Sequence, residues 1–106
     1  MNDAMARRTK VGRAAHPLVV EAEAVILGVI KLVFDDGYEA ILDLRPQMEK
    51  RIWKNLSGWK DFAIVQVEES GNHIFWMDIT GYQIELPADG LRHAAERQEK
   101  LRREAG

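Results

Sequence analysis

The chain of 106 residues contains no cysteine, which excludes a disulfide scaffold, thiolate metal centres and a cysteine nucleophile together. Serine is almost as scarce: Ser57 and Ser70 each stand beside a glycine in a turn-like context, and neither sits in a G-x-S-x-G elbow. The glycines form neither a G-x-G-x-x-G nor a Walker pattern, so the usual nucleotide-binding signals are missing. His16, His73 and His93 lie far apart, without metal-ligand spacing. No catalytic residue, metal ligand, cofactor or small-molecule ligand is therefore expected. Nor does any apolar run approach the ~18–20 residues of a membrane helix; the longest, Ala24–Ile30, holds Gly28 and is followed by Lys31. The first residues, MNDAMARRTK, lack the apolar core of a signal peptide, and with the missing cysteine this favours a cytoplasmic protein.

What is present is the 46% apolar content of a globular chain of single-domain length. The net charge of −2 is unevenly spread. Residues 1–15 carry Arg7, Arg8, Lys10 and Arg13 against Asp3, and residues 91–106 carry five bases against three acids, so the body between them holds a net −7. Basic ends flank an acidic body. Phosphate binding needs a concentrated cationic surface, so only the ends suit a nucleic acid, Arg7 and Arg8 being the candidate contacts in the arm. The polar, aperiodic residues 1–15 read as a disordered basic arm, and residues 16–106 as one α+β domain.

Within that domain, Leu18–Ala24, Val29–Phe34 and Tyr38–Leu44 have strand composition. The link FDDGY admits a register test. A loop of Asp36 and Gly37 alone would mix apolar and charged residues on both faces. A loop of Asp35, Asp36 and Gly37 pairs Phe34 with Tyr38, Leu32 with Ala40 and Ile30 with Leu42, giving one clean apolar face. The triplet is thus a structural turn, type I with Gly37 left-handed in a G1 bulge, and too poor in oxygen ligands for calcium. Met48, Ile52 and Leu56 recur every four residues after Pro46, with Trp53 beside them, which predicts a packed helix ended by Gly58. Phe62–Glu69 and His73–Ile79 flank Ser70-Gly71-Asn72 as a second hairpin, and Tyr82–Leu86 is a short edge strand. A last helix opens at Pro87-Ala88-Asp89 with Asp89 as its N-cap. Its apolar stripe is Leu91, Ala94, Ala95 and Leu101, and it is expected to fray beyond Gln98. The expected fold is a small, mainly antiparallel sheet built from two β-hairpins, with one packed helix between them and a C-terminal helix.

Of the larger side chains, Trp53 and Trp76 read first as core material, while Trp59 is either a plug beneath its loop or a partly exposed anchor; Trp59 and Trp76 are the aromatic candidates for an interaction. Asp43 and Asp78 end strands and read as solvated acids. Glu96–Lys100 and Glu99–Arg103 at i,i+4 support a solvated helix.

The series LVFDDGYEAILDL, LSGWKDFAIVQVEESGNHIFW and ELPADGL resembles the bacterial family catalogued as domain of unknown function 2442. The matching positions are Phe34, Asp36, Gly37, Asp43, Leu56, Phe62, Ile74, Trp76 and Leu91, spread over residues 18–91. The segment Met77–Tyr82 departs from the short Pro/Asn/Gly turn usual at that place in the family. The resemblance implies a small α+β fold without assigned catalytic residues, some relatives resembling components of toxin–antitoxin-like gene pairs. The expected role is a non-catalytic protein-interaction or regulatory module acting on a protein partner or as a homodimer. The alternative is a nucleic-acid-associated regulator using the basic arm and C-terminal helix.

Overall fold

The structure, a computed structural model, describes residues 16–56 and 58–105; the basic arm, with Arg7 and Arg8, and Ser57 lie outside the described residues. The fold is α+β, with six antiparallel strands in two three-stranded sheets and a long C-terminal helix. The first sheet is a meander of β1 (Val19–Ile26), β2 (Val29–Phe34) and β3 (Glu39–Asp43). Its register is the one that segregates polarity: Leu32 faces Ala40 and Ile30 faces Leu42. At the turn, the Gly37 amide donates to the Phe34 carbonyl and the Phe34 amide to the Tyr38 carbonyl, both at 2.9 Å. Gly37 has φ +90°, the left-handed value a G1 bulge requires.

The connection to the second sheet differs from the expected helix. Residues Gln47–Glu49 and Arg51–Trp53 form two separate 3-10 turns, split by Lys50 in extended conformation (ψ 153°). Burial shows why. Trp53 and Leu56, three residues apart, turn inward, whereas Ile52 is 46% exposed. The inward spacing is thus that of a 3-10 turn, and the every-fourth pattern through Ile52 does not mark a buried face. Gly58 begins a helix instead of ending one: α1 (Trp59–Phe62) follows it directly. Phe62 is therefore helical, and the second hairpin is shorter than its apolar run suggests, with β4 (Gln66–Val67), β5 (His73–Met77) and β6 (Gln83–Pro87). Ala63 and Ile64, exposed in succession, break the alternation a strand extended back to Phe62 would need.

The core lies between the sheets. Trp76 is completely buried; its ring stacks on Phe62 at 5.3 Å and meets Trp53 edge-on at 5.2 Å. Its indole N–H donates to the Phe62 carbonyl at 2.8 Å, which satisfies the one polar atom this burial would otherwise strand. The sheets are tied where the Val19 amide donates to the Gly71 carbonyl at 2.9 Å. The final helix, α2 (Ala88–Ala105), begins at Ala88, so Asp89 is not the N-cap but an acid within the first turn, where the helix dipole favours it. Beyond Gln98 the helix continues to Ala105 with every residue from Lys100 on exposed, and Arg103 and Glu99 face each other at 3.9 Å.

Candidate functional site

Three contacts fasten α2 to the first hairpin. The Arg92 guanidinium reaches the turn, with one nitrogen 2.9 Å from Asp36 Oδ2 and another donating to Asp36 Oδ1 at 3.1 Å. It stacks 4.1 Å from the centre of the Tyr38 ring and 5.1 Å from that of Phe34, while its Nε pairs with Glu96 at 2.7 Å. The hydrogen bond from Arg92 holds the Asp36 carboxyl below the ordinary aspartate range. Two turns beyond Arg92, the Tyr38 hydroxyl donates to Glu99 at 2.8 Å. Burial, then this charged acceptor, pushes the phenol above its usual value. Gln98 makes a two-way bond with the end of β3, accepting from the Asp43 amide at 3.1 Å and donating to the Asp43 carbonyl at 3.0 Å.

Beside these contacts a cleft of about 360 Å³ opens. Pro46 and Gln47 form one wall, Gly90, Ala94 and Gln98 of α2 the other, and Leu42 lies at its floor. The volume is within the usual range of about 300–1,000 Å³ for ligand and side-chain pockets. The lining is apolar apart from the two glutamines and Asp43. Asp43 is held by Arg45, whose Nε and Nη2 both lie 3.0 Å from its carboxylate; these bonds keep its acidity stronger than usual. The cleft thus offers shape and apolar surface, with Gln47 at hand for hydrogen bonding and Gln98 engaged by the Asp43 backbone. Among the described residues there is no group of three or more histidines and acids placed to hold a metal ion.

The residues singled out in the sequence fall in different places. Trp59 is 46% exposed and borders a shallow groove of about 290 Å³ with Val25, Ile26 and Leu27 at the β1–β2 turn, so its ring is partly exposed and not a plug beneath its loop. Trp76, wholly buried with its N–H engaged, packs the core and offers no surface for a partner. Asp78 is 8% exposed, not solvated. It caps its own turn, accepting from the Thr80 hydroxyl (2.6 Å), the Thr80 amide (2.8 Å) and the Tyr82 amide (3.0 Å), with the hydroxyl bond leading in lowering its pKa. Asp43 and Asp78 are each engaged locally, by Arg45 and by Thr80 with Tyr82. His73 lies 3.9 Å from Glu85 across the strand pair β5–β6. The cleft and Arg92 escaped the sequence reading. The i,i+4 partner expected for Glu96 was Lys100, whereas Glu96 pairs with Arg92, and nothing local announces that Arg92 reaches a turn 56 residues away.

Fold and site together define a small α+β domain with an apolar cleft along its terminal helix. Comparison with protein-family models, curated proteins and solved structures finds no match for the chain.

Proposed function

We propose that this chain is a non-catalytic protein-interaction or regulatory module, bacterial and cytoplasmic, of the domain of unknown function 2442 kind, serving as partner in a toxin–antitoxin-like pair. The observation that carries the reading is the apolar cleft between the Pro46–Gln47 turn and α2, which opens next to an exposed helical face bearing Leu101 (57% exposed). Contiguous apolar surface beside a concavity is the usual mark of a recognition surface. The exposed groove at Trp59 adds an aromatic side chain of the type enriched at interface hot spots.

The test is affinity capture of the tagged full chain from its native lysate, with and without nuclease, read by mass spectrometry. One stoichiometric protein that survives nuclease supports the module reading. Recovery only of nucleic acid, or of proteins lost on nuclease treatment, replaces it with a nucleic-acid-associated role for the basic ends. Recovery of nothing above an unrelated control, from lysate known to express the chain, removes the partner.

A further inference from the structure

The helix α2 has two faces free of charge, one buried by the fold and one covered only in part. Ala88, Leu91 and Ala95 are buried against the core. At about 100° per residue, Gly90, Leu101, Ala94, Ala105 and Gln98 fall together in an adjoining arc of about 80° that contains no charge. Gly90, Ala94 and Gln98 already line the cleft, and Leu101 carries the same face outward past its end. The ribbon is about 22 Å long at 1.5 Å per residue, roughly the length of a partner helix of four turns. Small residues at Gly90 and Ala94 let a second backbone come close. The fold does not itself require the glycine: a Cβ at Gly90 would meet only Pro87 Cγ at 3.6 Å, ordinary contact. In a helix that glycine costs up to about 1 kcal/mol relative to alanine. Its effect is to leave the cleft open.

The charges bordering the ribbon identify what fits it. Arg92 and Arg103 are engaged by Asp36, Glu96 and Glu99. The charges at the ribbon's two borders are Arg97, with Glu104 beside it two turns on, along one side and Arg102 along the other, all exposed. The carboxylate inside the cleft, Asp43, is neutralised by Arg45. A second copy of the chain is disfavoured in the register that places Leu101 over Ala94 of the copy, because Arg97 then meets Arg97 of the copy; a register centred on Leu101, which sets Arg97 near Glu104 of the copy, makes a second copy the competing occupant. A single-stranded nucleic acid fits poorly, because neither ribbon nor cleft lining contains an aromatic side chain for bases to stack on.

Resting on the module reading above, we infer that α2 and the adjoining cleft receive an acidic amphipathic helix of another protein. The apolar side chains of that helix enter the cleft and cover Leu101, and its flanking carboxylates meet Arg97 and Arg102. This is the helix-in-groove mode, in which apolar anchors supply affinity and bordering charges select the partner.

The experiment selects helices against the immobilised full chain from a display library. Leu is fixed at positions i, i+4, i+7 and i+11, and every residue type is allowed at the flanking positions. Against the wild-type chain, Asp and Glu at the flanks should be enriched about tenfold over Lys and Arg, the scale of a single well-placed charge contact. Against R97E/R102E the preference should invert. Leu101→Asp, at an exposed position that leaves the fold intact by circular dichroism, should abolish enrichment altogether. Enrichment lost with Leu101→Asp but without flank preference would remove the acidic partner while leaving the docking surface standing. No enrichment, enrichment indifferent to Leu101→Asp, tighter binding of a poly-uridine oligonucleotide than of the best helix, or self-association of the wild-type chain in sedimentation that Leu101→Asp abolishes would overturn the proposal of a helix from another protein.

Discussion

Replacing Arg92 with methionine probes what fastens the C-terminal helix. The substitution keeps an unbranched stem over Tyr38 but removes the contact to both Asp36 oxygens, the pair with Glu96 and the stack on the Tyr38 ring. The Arg92 side chain is 20% exposed, Asp36 and Glu96 54% each, so each ion pair is screened and contributes about 0.5 kcal/mol, the middle of the range for exposed pairs. The cation–aromatic stack, on a ring largely covered, adds about 1 kcal/mol. The loss should be about 2 kcal/mol, which moves the urea midpoint down by roughly 1–2 M for a domain of this size. A double-mutant cycle with Asp36→Asn should return about 0.5 kcal/mol of coupling. The pH dependence has a definite sign. The folded-state pKa of Asp36 is depressed by the hydrogen bond from Arg92. Its contribution is therefore present above the unfolded aspartate value near ~4 and is lost as pH falls through the folded value. In Arg92→Met the acid limb of the stability curve should flatten in that window. A loss below about 0.5 kcal/mol with no coupling to Asp36 would show that Leu91 and Ala95 alone dock the helix and that the clamp is ornamental.

Other perturbations separate the remaining devices. Gly37→Ala and Gly71→Ala both force a side chain onto positive φ (+90° and +82°), but the new Cβ meets nothing at Gly37 and lies 2.7 Å from the Val19 carbonyl oxygen at Gly71. Gly37→Ala should thus cost about 1–2 kcal/mol in chemical denaturation, and Gly71→Ala clearly more, since it also breaks the tie between the sheets. Trp76→Phe strands the Phe62 carbonyl and opens space against Trp53; a loss of about 2–4 kcal/mol is expected, with a change in the fluorescence of Trp53 read alongside the urea titration. Gly90→Ala should raise thermal stability by about 0.5–1 kcal/mol, and no gain would mean the cleft wall is tighter than its geometry shows. Asp78→Asn should lower the urea midpoint at pH 7 and remove part of its fall in acid, because the wild-type carboxylate is held ionised by the Thr80 hydroxyl and by backbone amides, a contribution lost as pH drops through its depressed pKa.

The local patterns that proved reliable in the sequence were those in which a single face decides the outcome. The three-residue loop at Asp35-Asp36-Gly37 was legible because any other length would have put charges on the core side of β2 and β3, and the observed partners follow that register. The α+β class followed from the hairpin signals and the helix after Pro87. Harder to read were segments whose conformation depends on what they pack against. Met48, Ile52 and Leu56 repeat as a helix would, yet Lys50 turns extended so that Trp53 and Leu56 can reach Trp76 and its neighbours, and a local period cannot report that. The run FAIV has strand composition, but Phe62 is needed as a stacking partner and carbonyl acceptor for Trp76, which a helical turn supplies. The cleft was invisible for the same reason: its walls come from two stretches distant in the chain, residues 42–47 and 86–98.

The Asp-Asp-Gly triplet ends up doing more than turning the chain, and the additional contacts all follow from the turn. Once Gly37 adopts its left-handed conformation, Asp36 is held beside the Tyr38 amide, which it accepts at 3.1 Å, with its carboxylate directed outward. That carboxylate is then the nearest anion for Arg92, and the Tyr38 ring beneath is the surface on which the guanidinium lies. Asp35, its neighbour, takes the Leu18 amide at 3.2 Å and so holds the start of β1. One turn thereby fixes where the first sheet begins and where α2 crosses it, while Gln98 repeats the attachment at the other end of β3. With α2 held at both places, the cleft beside it keeps its width before any partner arrives. A groove formed in advance spares the partner the ordering cost of building it. The residues that make this protein fold are in that sense also the ones that shape the surface it offers.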